Sequence, residues 1–271
     1  MKNLFKLFIV MMSITIVFFA CESDNITSGD SVASLSDSKA GSWSTERIAN
    51  MSTNLYVPTS NSPVGNGRAL LVVLHGCTQP ISNFKTANLE DAAEEYGMVV
   101  ATPDAANKQG FSCWGYWTGT KSRTSADYKN VLDLVSTLKS RNYNIDPDQV
   151  YIAGLSSGGA FAMTLGCLAP DVFAGMGLDA APSTGTSANG AFGAESNASQ
   201  TASRCNSYAG SYKSYFSTQI TSTAYGTGDY TVPQAYGPQN AGAMAIVYGN
   251  LSKQSGYNSV FGNSTVKEWL W

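Results

Sequence analysis

From about residue 46 onward, apolar positions fall into short blocks that alternate between two periods. "TNLYVP" (53–58) reads as a short strand. "RALLVVLHG" (68–76) is a continuous apolar run, as expected of a strand covered on both faces. "ANLEDAAEEYG" (87–97) places Leu89, Ala92, Ala93 and Tyr96 on one helical face, with Gly97 as a stop. "MVVATPD" (98–104) is the next buried strand, and "SADYKNVLDLVSTLKSRN" (125–142) carries Val131, Leu132, Val135 and Leu138 at helical spacing. "QVYIAG" (149–154) then reads as strand and "GGAFAMTLGCLA" (158–169) as helix. The blocks "VFAGMGLDAA" (172–181) and "QITSTAYGTGDYTVP" (219–233) add two more strands, the second ending in a turn. Residues 183–215 are rich in Gly, Ser and Asn and predict little regular structure. Strand and helix alternate through short connections, so the class is α/β, a mostly parallel sheet with helices on both faces.

The pattern upstream is different. Lys2 and Lys6 precede the apolar run "LFIVMMSITIVFFA" (7–20), which suits a secretory signal over residues 1–20 and is short for a membrane span. Ala20 directly before Cys21, in "FFAC", resembles the lipobox of bacterial lipoproteins, and that resemblance implies lipidation of Cys21. The stretch "ESDNITSGDSVASLSDSKAGSWST" (22–45) has no apolar period and reads as a flexible tether, leaving residues 46–271 as the folded domain. An exported protein held at the cell surface or in the periplasm, or released outside the cell, is the expectation. It would touch the membrane only through its lipid.

The 271 residues are 43% apolar and 13% charged, enough for a sizeable core. A net charge of −3 without a basic cluster argues against a nucleic-acid partner. Setting Cys21 aside leaves Cys77, Cys113, Cys167 and Cys205, an even number that suggests disulfides in an exported chain. Three connectivities are possible, and Cys77–Cys113 with Cys167–Cys205 is favoured. No Cys/His spacing suggests a metal site.

Gly154-Leu155-Ser156-Ser157-Gly158 fits the G-x-S-x-G nucleophile elbow, in which small residues let strand and helix pass while the serine stands above the sheet. "VVLHGCTQ" (72–79) ends a buried strand, where serine esterases of this topology place a backbone oxyanion donor. The N–H groups of Cys77 and Ser157 could form that hole. Asp229, in "YGTGDYTVP" (225–233), sits at a turn after a late strand and suits the acid of a Ser–Asp–His chain order, with Asp104, Asp127, Asp171 and Asp179 as rivals. Trp114, Tyr116 and Trp117, with Phe111 nearby, could wall an apolar ester site or simply pack a loop. Trp114 and Trp117 are the candidate substrate contacts.

Together, "LVVLHGCTQ", "CWGYW", "DPDQVYIAGLSSGGA", "CLAPDVFAG" and "GTGDYTVP" resemble the extracellular poly(3-hydroxybutyrate) depolymerase family of serine esterases, which includes feruloyl and acetylxylan esterases. The resemblance runs from about residue 53 to 250. It implies an α/β-hydrolase fold, Ser156 as nucleophile, Asp229 as triad acid, Cys77 and Ser157 as oxyanion donors, and no metal or organic cofactor. The substrate implied is an ester, either an insoluble polyester or a plant polysaccharide ester. The family's histidine should follow the aspartate in a "GHxWP"-like loop, yet no histidine lies beyond Asp229 and the chain stops at "VKEWLW" (266–271). The expectation is a domain that is C-terminally incomplete, lacking its last strand and helix. A surface protein that keeps the fold and binds a polymer without cleaving it is the alternative. His75, the single histidine, belongs to the oxyanion loop in this reading and is a poor substitute for the base.

Overall fold

A computed structural model of the chain describes residues 41–249 and the strands Ser255–Phe261 and Ser264–Leu270. The apolar segment 1–20, Cys21 and most of the tether lie outside the described residues. Nine strands form one sheet: β1 (Trp43–Ile48), β2 (Met51–Tyr56), β3 (Arg68–Leu74), β4 (Met98–Pro103), β5 (Ile145–Leu155), β6 (Gly175–Asp179), β7 (Ile220–Gly226), β8 (Ser255–Phe261) and β9 (Ser264–Leu270). Their order is β1-β2-β4-β3-β5-β6-β7-β9-β8. The central five run parallel, from β4 through β3, β5 and β6 to β7, and antiparallel pairs flank them on each side.

Five helices punctuate the strands: α1 (Leu89–Tyr96), α2 (Ala126–Ser140), α3 (Ser157–Leu168), α4 (Ala198–Ala209) and α5 (Tyr236–Val247). Alternation along β3 shows how both sheet faces are covered. Leu70, Val72 and Leu74 enter the main core with Leu134 of α2 and Phe161 of α3. Leu71 and Val73 point the other way, into a smaller cluster with Leu89 and Ala93 of α1. Every residue of α3 is buried, which explains why its sequence is apolar all round rather than striped. No helix among the described residues is long and apolar enough to cross a membrane.

Two stretches depart from the sequence expectation. The domain begins before residue 46, because β1 starts at Trp43 and pairs with β2 through a two-residue turn. In that turn Ala49 and Asn50 hold φ of 46° and 68°, a primed-turn geometry usually signalled by Asn-Gly. Residues 183–215 hold α4, whose Asn197–Gln200 capping box fixes its start. Its buried face is Thr201, Ala202, Cys205 and Ala209, small residues that pack closely while giving little hydropathy signal. The segment "VKEWLW", which on sequence grounds could begin one more strand, falls largely in β9, which runs antiparallel to β7.

The two disulfides are Cys77–Cys113 and Cys167–Cys205. The second ties α3 to α4 across a sequence separation of 38 residues, a closure worth about 4 kcal/mol in the chain-entropy model.

Backbone packs tightly against backbone at the start of α3. A Cβ on Gly158 would lie 2.4 Å from the carbonyl oxygens of both Leu74 and His75, atoms of rigid backbone. A Cβ on Gly193 would meet nothing within 4 Å. We expect Gly158→Ala to lower stability in urea denaturation by about 2–3 kcal/mol, and Gly193→Ala to stay within about 0.5 kcal/mol of the parent. Equal midpoints for the two variants would refute this account of the packing.

Candidate active site

β5 delivers the chain to Ser156 and α3 takes it away. Between them Ser156 holds φ 55° and ψ −119°, a region that L-residues occupy only when the surroundings enforce it. The enforcement is visible. Ser156 N–H donates to the Asp179 carbonyl of β6 at 2.9 Å, and the Ala160 N–H returns to the Ser156 carbonyl at 3.0 Å. Gly154 and Gly158 are needed for the same turn, since a Cβ on Gly154 would lie 2.4 Å from the Gly158 carbonyl carbon. Ser157 opens α3, so its N–H lacks an intrahelical acceptor and carries the positive end of the helix dipole.

The second wall is the loop leaving β3. Gly76 N–H donates to Gln79 Oε1 at 2.8 Å, and Thr78 N–H donates to the Phe111 carbonyl at 2.7 Å. The Cys77–Cys113 bond joins the same two loops covalently. Thr78, Phe111 and Ser112 all hold φ between 55° and 60°, so this junction is a second site of backbone strain.

His75 is sealed within that loop. It is 0% exposed, and its ring lies 5.4 Å from that of Trp114. The hydrogen-bond network assigns a neutral ring: Nδ1–H donates to the Gly76 carbonyl at 2.7 Å, and Nε2 accepts the Ala105 N–H at 3.3 Å. Burial holds its pKa below the ordinary histidine value, although the Asp104 carboxylate lies 3.3 Å from Nε2. With both nitrogens committed to the backbone, it cannot take a proton from Ser156.

Asp229 occupies the turn after β7. Its Oδ1 accepts the N–H groups of Thr231 and Val232 at 2.8 and 2.9 Å, and Gln234 Nε2 donates to the carbonyls of Thr227 and Asp229 at 2.8 and 3.2 Å. The rival aspartates are engaged elsewhere. Asp104 pairs with Lys108, Asp171 with Arg123, and buried Asp127 accepts from Asn107 and Asn130. Asp179 lines a separate hollow with Val73 and Ala153.

Cys77, Ser156, Ser157 and Asp229 line one cavity of about 590 Å³ together with Trp117. Trp114 does not reach it. That ring is 0% exposed and packs 4.9 Å from Phe161, so it belongs to the core, and its expected role as a substrate contact is corrected. Tyr116 does line the cavity, and burial pushes its hydroxyl up to about 12, so it stays protonated at neutral pH.

The sequence reading missed the opposite wall. Pro182, Ala188, Ala191 and Phe192, from the segment between β6 and α4, also line the cavity. Tyr236, at the start of α5 and 1% exposed, holds that segment by donating its hydroxyl to the Gly190 and Gly193 carbonyls at 2.9 and 3.2 Å. Gln79 and Val232 were also missed. A buried tyrosine three residues beyond Pro233 is the one signal that could have pointed to this arrangement. Chemically, the cavity brings a serine on a strained turn, the residues Cys77 and Ser157, and a carboxylate around one largely apolar space.

The sequence profile of a family described as "Esterase PHB depolymerase" matches residues 51–209. A poly(3-hydroxybutyrate) depolymerase of Ralstonia pickettii is 41% identical over 245 residues, covering 83% of this chain and 50% of that protein. Feruloyl esterase B of Neurospora crassa is 31% identical over 122 residues, 44% of this chain and 39% of that protein. The chain thus spans half or less of the length of these curated relatives. Among solved structures, an acetyl xylan esterase from Aspergillus awamori superposes with a TM-score of 0.61 at 18% identity, covering 80% of this chain and 84% of that one, which shows a shared fold.

The environment of His75 makes a pH prediction. Its folded pKa lies below its unfolded value, so protonation favours the unfolded chain and stability falls as pH drops below about 6.5. The slope should reach up to about 1.4 kcal/mol per pH unit. The carboxylates of Glu94, Asp146 and Glu195, all held below their ordinary values, add their losses only at lower pH. Urea denaturation between pH 7.5 and 5 checks this, and a flat profile over that range would show that His75 titrates normally.

Proposed function

The chain belongs to the esterase PHB depolymerase family, and from that membership and the cavity geometry we propose that it is a carboxylic ester hydrolase working through an acyl-serine. Ser156 is the nucleophile, Asp229 the acid that orients a base, and the N–H groups of Cys77 and Ser157 hold the oxyanion. The observation that carries the reading is the φ of 55° at Ser156 inside a cavity that Asp229 also lines. Strain at one serine, enforced by two glycines and aimed into an apolar space, has a function in acyl transfer and none in packing. As an ester carbonyl is attacked, negative charge develops on its oxygen. Backbone donors fixed beforehand stabilise it without reorganisation, each worth about 3–4 kcal/mol.

The substrate we propose is a polyester of hydroxyalkanoate units, in keeping with the relative that is 41% identical. The exposed rings of Phe111 and Phe192 at the cavity rim, each 84% accessible, suit an apolar chain. We also propose export and anchoring through a lipid on Cys21. The apolar run ending in "FFAC" supports this, and so do two disulfides, which persist in oxidising compartments.

Two experiments test these readings. Residues 21–271 alone should hydrolyse p-nitrophenyl butyrate at a barely detectable rate, because triad members act as a unit and His75 is sealed. Appending a histidine-bearing segment of the kind implied by the family resemblance should raise that rate by roughly three orders of magnitude or more. Ser156→Ala should remove the gain, and retention of the gain in that variant would sink the nucleophile assignment. For the anchor, cells expressing the full chain and fed labelled palmitate should yield labelled protein. Cys21→Ser should lose the label and leave the membrane fraction, since two acyl chains hold a protein where one does so marginally. An unlabelled parent chain would exclude the anchor.

A further inference from the structure

Most polar side chains at the cavity are committed within the fold. Gln79 Oε1 accepts the Gly76 N–H, the Thr78 hydroxyl donates to the Cys77 carbonyl at 2.6 Å, and Asp229 Oδ1 accepts two backbone N–H groups. Ser157 Oγ is covered by protein atoms, and Thr231 is exposed. Tyr116 differs. It is 3% exposed, yet its hydroxyl makes no hydrogen bond among the described residues and is not wholly covered by protein atoms. What lies open beside it is the cavity that Tyr116 lines. The residue is otherwise fixed: its backbone N–H donates to the Trp114 carbonyl at 2.9 Å, and its ring meets that of Trp117 edge-on at 4.8 Å. A phenylalanine would satisfy both contacts, so packing gives no reason for the oxygen. Burial, with Tyr236 and Glu195 nearby, keeps the phenol protonated, and it is therefore a hydrogen-bond donor throughout the neutral range.

We propose that Tyr116 is a specificity-determining residue: its hydroxyl donates a hydrogen bond to a second carbonyl of the substrate, one not under attack, and so favours oligoesters over esters of plain hydrocarbon chains. The inference rests on the ester-hydrolase reading above. In that reading the carbonyl under attack is held by the N–H groups of Cys77 and Ser157, which leaves the tyrosine for another oxygen. Phe111, Trp117, Phe192 and Val232 line the same space of about 590 Å³ and suit an apolar chain. A hydrocarbon that fills this space desolvates the phenol and returns no acceptor, which opposes binding. A polyester of hydroxyalkanoate units repeats a carbonyl along its length, so a unit next to the one at Ser156 carries the acceptor.

The test reads binding, with turnover suspended by Ser156→Ala in the full chain. Two matched probes are titrated against it by NMR. One is methyl 3-(3-acetoxybutanoyloxy)butanoate, which has a carbonyl on each side of its central ester. The other is hexan-2-yl 3-methylhexanoate, in which propyl groups replace both outer ester groups. The hydrocarbon probe gains from burial against any apolar wall, so the ratio of the two affinities is the quantity compared. Adding Tyr116→Phe should shift that ratio roughly tenfold against the oligoester, the worth of one neutral hydrogen bond. Affinity for the hydrocarbon probe should hold or rise, which also shows that the cavity is intact. Tyr116→Leu, which lacks both ring and hydroxyl, is the second variant and should move the ratio in the same direction.

An unchanged ratio in both variants, with the oligoester still bound, would overturn the inference and leave the ester-hydrolase reading standing. Equal losses for the two probes would overturn it as well, by reducing Tyr116 to a packing role. Glyceryl monobutanoate, the ester of a polyol, is the third probe. A loss confined to it would make the partner of the hydroxyl an alcohol and overturn the assignment to a carbonyl. If the oligoester shows no saturable binding to a Ser156→Ala chain whose circular dichroism is native, the polyester reading itself fails and takes the inference with it.

Discussion

The architecture depends on how closely the start of α3 approaches the end of β3. At Gly158 the gap to the Leu74 and His75 carbonyls leaves no room for a side chain, and at Gly154 the strand leaves none for the helix it feeds. This contact forces Ser156 into its positive φ, because the chain must reverse within one residue to bring the helix back over the sheet. It also sets the N-terminus of a fully buried helix against the loop that follows β3. The Ser156 hydroxyl, the helix dipole and the loop after β3 are therefore positioned by a single steric condition.

Around that fixed point, each remaining wall is held by a different kind of bond. The aromatic loop is tied to the β3 loop by Cys77–Cys113 and the Thr78–Phe111 backbone hydrogen bond. The segment between β6 and α4 is pinned by the Tyr236 hydroxyl. The acid turn is braced by Gln234, two residues before that tyrosine. The start of α5 thus serves two walls at once, and the acid and the roof of the cavity share one support.

The sequence made the parallel centre legible because buried β-branched runs and striped helices carry strong periodicity, as in 68–76 and 125–142. The elbow was legible because steric necessity writes glycines at fixed offsets. What escaped was built from small residues. α4 buries Thr201, Ala202, Cys205 and Ala209, a face of low hydropathy, and α5 buries Gly237, Ala241 and Ala243 between Tyr236 and Met244. β1 escaped because its turn uses Ala49 at positive φ in place of glycine. Trp114 and Trp117 could not be separated by composition. They are three residues apart in one aromatic loop, and only the fold sends one ring into the core and leaves the other at the cavity.

The Cys77–Cys113 bond ties the junction of two strained loops to the redox state of its compartment. The strained residues Thr78, Phe111 and Ser112 all lie beside it, and positive φ at non-glycine positions relaxes unless something opposes it. In a compartment that keeps thiols reduced, one backbone hydrogen bond is left to hold those loops together. The main apolar cluster of the sheet is built without either cysteine of that bond. Scaffold and cavity are thus held by different kinds of bond: the sheet by its apolar core, and the meeting of these two loops by an oxidised pair of thiols.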